Sequence, residues 1–196
     1  MAYFNTIKRS FADVDLSNGI DTNEFLEATE GMVKIFDVIG STAFGFVQND
    51  MNGNIKRLRL RYESNPEKND TLEHLLEGES DESKRLATEG LLWLIRALDF
   101  TAKGLTRSLD NPDEELTYSF SVAYETTLRQ YHNFLVRPVF ALAVKSCPYR
   151  QDFYKRIDII DDTAIGLMRE WLAALDILVN RVQILFHQHP EYIKGM

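Results

Sequence analysis

The chain has one cysteine, five prolines and, in 196 residues, no apolar run near the ~20 needed to cross a bilayer. One thiol cannot form an internal disulfide. Cys147 is followed by Pro148, with no base or histidine beside it in sequence, so it reads as a reduced structural thiol. The opening residues, MAYFNTIKRSFADVD, lack the apolar core of a signal peptide, and the expectation is a soluble, cytoplasmic protein. Bases are outnumbered: 22 Lys and Arg stand against 30 Asp and Glu, for a net charge of −8 and a pI near 5.0. Such a chain is not built to neutralise phosphate backbones, which argues against a nucleic-acid partner and against strong overall attraction to anionic membranes. Alternating strand-like runs joined by hairpin dipeptides are missing. So are a P-loop, a dinucleotide fingerprint, a nucleophile elbow and the Glu-x-x-His pair of a carboxylate-bridged bundle site. His187 and His189, flanking Gln188, are too slight a signal for a metal. Catalytic residues, cofactors and metals are therefore not indicated.

What is present is a full complement of core. With 44% hydrophobic and 27% charged residues, the chain fits one globular domain over 1–196. Helical periodicity runs almost throughout. A helix starts after Asp21-Thr22, runs through EFLEATEGMVKIFDVIG and breaks at Ser41; the next spans about 43–63 and stops before Asn65-Pro66. TLEHLLEGE forms a short helix, and a polar loop at 78–84 precedes a long one at 85–108, ended by Asp110-Asn111-Pro112. Another is expected from about 115 to 146, kinked by Pro138. A short aromatic and basic segment follows at 148–157, and the last helix runs from near Asp162 to about His187. The fold class is all-α, with about eight helices.

Two helices carry more apolar surface than one buried face needs. In the 85–108 helix, Leu91, Leu94, Ile95, Leu98, Ala102 and Leu105 form one stripe. Trp93, Ala97, Phe100 and Gly104 form a second, roughly 150° away at 100° per residue. The last helix is apolar nearly all round. Both are expected in the middle of a two-layer helical sandwich, where the surplus either packs or lines a cavity.

Polar residues on the 43–63 helix are also ordered. Asp50, Asn54, Arg57 and Arg61 fall within about 60° of one another, beside the buried row of Phe44, Val47, Met51, Ile55, Leu58 and Tyr62. They form either a solvated boundary or a hydrogen-bonding row that suits sugar hydroxyls and an amide, with acceptor, amide and donor in turn. Trp93 is either a second-layer core residue or a face on which a sugar ring stacks. His132 shares its helical face with Tyr124, Leu128, Leu135, Val136 and Val139, as a satisfied core histidine or as a donor to a buried carbonyl. From Phe134 through Tyr149, Arg150, Phe153, Tyr154, Lys155 and Arg156, aromatics alternate with bases, as in a packed connector or a membrane-touching surface.

Four blocks of this sequence resemble the glycolipid transfer protein family: GFVQNDMNGNIKRLRLRYESNP at 45–66, EGLLWLIRALDF at 89–100, AYETTLRQYHNFLVRPVF at 123–140, and CPYRQDFYKRI after it. The resemblance extends from about Glu24 to the end of the last helix. It implies a monomeric, non-enzymatic carrier of glycosphingolipids that touches membranes transiently and holds its cargo in an apolar cavity. By the same resemblance, Asp50 meets the lipid amide and first sugar, Asn54 binds sugar hydroxyls, Trp93 carries the sugar ring and His132 takes the ceramide carbonyl. The family usually has lysine at the position of Arg57, which substitutes a planar fork for a flexible ammonium. Relatives that carry ceramide phosphate place lysine at the position of Asn54 and arginine at that of Trp93, so this chain favours a neutral sugar. Phe134 stands where relatives often have a membrane-touching tryptophan, with Tyr149 and Arg150 expected beside it at the membrane, and Tyr192 near the family's sugar-approaching C-terminal aromatic. A lipid sensor and a ceramide-phosphate carrier are the alternatives.

Overall fold

A computed structural model describes residues 3–39 and 44–196. Among them the regular structure is helical: α1 Thr22–Val33, α2 Ile35–Ile39, α3 Gly45–Ser64, α4 Leu72–Glu79, α5 Leu86–Asp110, α6 Leu116–Thr126, α7 Val136–Lys145, α8 Arg150–Arg156 and α9 Asp162–Gln188. Short 3-10 turns precede α1, join α6 to α7 and follow α9. Among the described residues extended pairing is limited to one bridge, Asp21 with Thr71. None of these helices is long and apolar enough to cross a membrane. The expected stop at Ser41 lies outside the described residues.

Two helix starts, those of α1 and α9, are fixed by capping carboxylates. The Asp21 carboxylate accepts from the Glu24 N–H at 2.8 Å, and that of Asp161 from Ala164 N–H at 2.8 Å. Helix α5 has no cap of its own. Glu79, at the end of α4, supplies one: its buried carboxylate accepts from the N–H groups of Ala87 (3.1 Å) and Thr88 (2.8 Å) and from the Thr88 hydroxyl (2.8 Å). A negative charge at the positive end of a 25-residue helix is favourable, and it fixes the start of the element that carries the site.

Helix α5 packs against α3, α6 and α9, and α1 packs on α3 in turn, an arrangement that fits a two-layer sandwich. Both apolar stripes of α5 are buried except at Trp93, which is partly exposed. Glycines set two of these approaches. A Cβ at Gly104 would lie 2.6 Å from the Phe120 ring of α6, and one at Gly90 would lie 3.2 Å from the Asn54 carbonyl of α3. Burial pushes the Cys147 thiol up to about 12, so it keeps its proton at neutral pH.

The single kinked helix expected at 115–146 is instead two. After Thr126 the chain turns away. Thr127 returns its hydroxyl to the Ala123 carbonyl at 2.6 Å, and a 3-10 turn covers Leu128–Gln130. Asn133 then collects the N–H groups of Leu135 (3.0 Å) and Val136 (3.1 Å) on its side-chain oxygen, opening α7. Pro138 sits in the first turn of α7, where an N–H has no helical partner anyway. The proline therefore starts a helix and kinks none. One consequence is that His132 and Val139 share no helical face. The expected first helix is likewise divided between α1 and α2 at Lys34.

Candidate functional site

On α3, the edge facing α5 presents Asp50, Asn54 and Arg57. The Asn54 side chain is buried and donates to the Asp50 carboxylate at 3.2 Å. Burial raises the Asp50 pKa, while the Arg57 charge and the Asn54 hydrogen bond pull it back down. Arg57 reaches Glu89 of α5 at 3.4 Å, both side chains being well exposed. Arg61, which shares the same stripe, turns to Glu82 at 2.8 Å and does not join the site.

Trp93 stands one turn after Glu89. His132, released from helix by the 3-10 turn, lies nearly parallel to the indole, with ring centroids 6.4 Å apart and planes at 21°. Tyr124 of α6 meets His132 Nδ1 at 3.1 Å through its hydroxyl, and the Arg137 Nε donates to the His132 carbonyl at 2.9 Å. Burial, and then the Arg137 charge, lower the His132 pKa, so the ring is neutral at neutral pH. Burial raises that of Tyr124, which keeps its proton. In the tautomer in which the phenol donates to Nδ1, the ring proton sits on Nε2 and is free to be donated.

These side chains surround one hollow of about 470 Å³. Asp50, Asn54, Arg57, Glu89 and His132 supply its polar groups, and Phe46, Val47, Ala97, Leu128, Val136 and Phe140 its apolar lining, with Trp93 where the two meet. Larger hollows, about 620 and 570 Å³, lie elsewhere along α5 and α9. Their basic residues are largely engaged: Arg169 pairs with Asp110 at 2.6 Å, Arg107 with Glu114 at 2.6 Å and Lys103 with Asp99 at 2.9 Å. Volume does not single out the site. The convergence of an acid, an amide, a cation, an indole and a neutral imidazole over an apolar floor does. Among the described residues no group of three or more metal-ligating side chains is placed to hold an ion.

Five of the expected ligand residues thus face one cavity: Asp50, Asn54, Arg57, Trp93 and His132. Tyr192 does not line it. It is buried beyond α9, stacked on His189 at 4.9 Å, with its carbonyl held by Arg85 at 2.6 Å. Phe134 and Tyr149, at the two ends of α7, are 77% and 74% exposed, and Leu135, Val139 and Leu142 are exposed between them. Arg150 folds back, its guanidinium 4.6 Å from the Tyr154 ring centroid and its Nε 3.3 Å from the Ser108 carbonyl. Phe153 and Tyr154 are core residues, so the packed reading of that segment holds for them. Glu89 and Tyr124 were not expected as functional groups. Glu89 was legible as the residue four before Trp93, on the same face, and Tyr124 as the one polar ring among the neighbours of His132.

The family profile described as Glycolipid transfer protein (GLTP) matches residues 20–158. A Glycolipid transfer protein of Aureobasidium melanogenum is 45% identical over 184 residues, covering 91% of this chain and 89% of the relative. The human Pleckstrin homology domain-containing family A member 8 is 33% identical over 195 residues, where 93% of this chain spans 37% of the relative's length. Among solved structures, HET-C2, a fungal glycolipid transfer protein, superposes with a TM-score of 0.90 at 39% identity over 95% of this chain and 97% of that one. The GLTP-fold of FAPP2, described as selecting simple glycosphingolipids, gives 0.85 at 32% identity over 97% of each. Mouse ceramide-1-phosphate transfer protein gives 0.81 at 20% identity, over 93% of this chain and 94% of that one, a likeness of fold alone.

Proposed function

The chain belongs to the glycolipid transfer protein family, whose members move lipid without catalysis, and from that premise we propose that it carries sugar-headed sphingolipids between membranes. The observation that carries the reading is the shared cavity. Asp50, Asn54 and Arg57 grip the sugar, Trp93 lies under it, and Asp50 with His132 Nε2 brackets the amide of the lipid.

The energetics require such a container. Two acyl chains expose about 30 methylenes at ~0.8 kcal/mol each, on the order of 24 kcal/mol, which forbids unassisted passage through water. At roughly 30 Å³ per methylene, a water molecule's share of liquid volume, those chains fill about 900 Å³. The cavity of about 470 Å³ takes the headgroup and the first part of the chains; the rest needs its walls to part. Helix α7 is the wall that can move, since only Phe140, Ala143 and Val144 of its ten residues are buried. Phe134, Tyr149 and Arg150, beside it, touch the membrane while cargo enters.

Discrimination comes from the polar row, because every lipid has tails. A missing hydroxyl leaves buried partners unpaired. Two features favour a neutral sugar over a phosphate. Asn54 and Trp93 offer no charge, and the carboxylate of Asp50 inside the cavity repels an anion. The test is vesicle-to-vesicle transfer of galactosylceramide and of ceramide phosphate. The sugar lipid should move and the phosphate lipid should not; the reverse order, or release of free sugar during incubation, would refute the assignment.

A further inference from the structure

Membrane contact leaves open which surface is touched. The chain holds 30 acidic residues, yet none between Glu125 and Asp152, a run of 26. Four bases stand in that run: Arg129, Arg137, Lys145 and Arg150. Without their four positive charges the remainder of the chain carries −12, against a total of −8. Among the described residues, nine of the 18 bases outside the run are ion-paired. Arg9, Arg59, Arg61, Arg107, Arg169 and Arg181 are all ion-paired. Of the four bases in the acid-free run, only Arg129 has a carboxylate partner among the described residues, Glu125 at 3.2 Å.

The same run holds the exposed apolar side chains of α7. Leu135, Val139 and Leu142 lie within about 60° of one another on that helix, and Lys145 adjoins Leu142. We propose that this face docks on an anionic bilayer, its apolar side chains entering the interface and the exposed Lys145 meeting anionic headgroups. The inference rests on the lipid-carrier reading and names its membrane partner. Net charge does not decide the matter, because the Debye length is only about 8 Å at physiological ionic strength. Helix α9 alone, at 27 residues and ~1.5 Å each, is about 40 Å long, so acids on the far side of the molecule are screened. The bases next to the headgroups are not, and the acidic faces are repelled if they approach first. The charge division therefore also sets the docking orientation.

The test is sedimentation of the full chain with vesicles of phosphatidylcholine, with and without part replacement by phosphatidylserine. Partition should rise at least tenfold on the serine vesicles at ~0.1 M salt and lose most of that gain near ~1 M, where the Debye length is about 3 Å. Lys145→Glu, a change of two charges at roughly fivefold each, should lower it more than tenfold, while the exposed Lys68→Glu should not. Equal partition on both vesicles, or equal effects of the two variants, overturns the proposal. Capture by soluble polyglutamate with none by serine vesicles overturns it in favour of an acidic protein partner. Glycolipid transfer between phosphatidylcholine vesicles separates the two readings: transfer without anionic preference sinks only this one, and anionic partition without any transfer sinks only the carrier.

Discussion

The two tryptophans sit on the two long helices whose apolar residues reach nearly all round, and their surroundings could hardly differ more. Trp171 of α9 is 2% exposed, ringed by Tyr3 at 5.9 Å, Phe4 at 5.6 Å and Phe11 at 5.3 Å. Its indole N–H has no hydrogen-bond partner, a cost accepted for close packing. Trp93 of α5 is partly exposed, with a guanidinium 4.7 Å away and the His132 ring at 6.4 Å. The difference lies in what covers each helix. The N-terminal segment closes over α9, held by Tyr3 N–H to the Ile157 carbonyl at 3.1 Å and by Tyr3 O–H to that of Gly31 at 2.7 Å. Trp93 is roofed only by the lightly anchored α7 and the turn before it. An apolar stripe therefore becomes core where a second element is fastened over it, and lines a hollow where the cover is loose.

Exchanging the indoles tests this contrast most strongly. Trp93→Ala should reduce glycolipid transfer to background while the unfolding midpoint stays close to that of the parent. Trp171→Ala should cost ~3–5 kcal/mol of stability, roughly 10 °C in Tm for a chain of this size, while the folded fraction still transfers lipid. Thermal unfolding followed by circular dichroism, with a transfer assay on the same samples, measures both. If Trp93→Ala lowers the unfolding midpoint while the folded fraction still transfers lipid, the two indoles have been assigned the wrong way round.

Next in size is Asp50→Asn. Burial holds the Asp50 pKa above its ordinary 3.8, so the folded chain binds that proton more tightly than the unfolded one. Its contribution to stability is full below about 3.8 and is lost as pH rises through the folded pKa. At neutral pH the charged group is thus a liability to the folded chain. The variant should be slightly more stable than the parent at pH 7, lose that advantage at pH 3, and transfer glycolipid about tenfold more slowly, a loss of one charged hydrogen bond. Urea midpoints at the two pH values decide the stability half. A destabilised variant at pH 7 would mean that the Asn54 bond outweighs desolvation.

Tyr124→Phe should act more mildly. Losing a hydrogen bond of about 1 kcal/mol frees the His132 ring to exchange tautomers, and transfer should fall roughly fivefold. Nitrogen NMR of His132 should show the proton on Nε2 in the parent and on both nitrogens in the variant. An unchanged spectrum would show that the phenol does not orient the ring.

The long elements were legible because buried stripes on α3, α5 and α9 run for many turns and end at Asn65-Pro66, Asn111-Pro112 and the residues around His187. The failure came at 127–135, where a helical period that links Leu128 to Leu135, Val136 and Val139 runs through a stretch that is not α-helix. Thr127 and Asn133 bond to the backbone instead, and periodicity carries no record of that competition. The polar row at Asp50, Asn54 and Arg57 was readable as an edge, but the hollow it faces was not. That depended on α5 approaching closely at Gly90, a contact between segments more than thirty residues apart. Tyr192 shows the reverse limit: an aromatic near a chain end carries no direction until the Arg85 contact and the His189 stack fix its turn.

The smallest expected effect falls on Glu89, and it bears on which residue sets headgroup choice. Its pair with Arg57 spans 3.4 Å with both side chains over 40% exposed, so it contributes ~0–1 kcal/mol and Glu89→Gln should leave stability nearly unchanged. What changes is the charge at the rim. Arg57 loses its partner, and the cavity is left with Asp50 as its only acid, now opposed by an unpaired guanidinium. A phosphate-headed ceramide should then bind at most about threefold better, because Asn54 and Trp93 still offer it no charge, while galactosylceramide should bind nearly as before. Competition between the two lipids for a fluorescent glycolipid measures the ratio. A gain of a hundredfold would place the gate at Glu89 and reduce Asn54 and Trp93 to bystanders in the choice between sugar and phosphate.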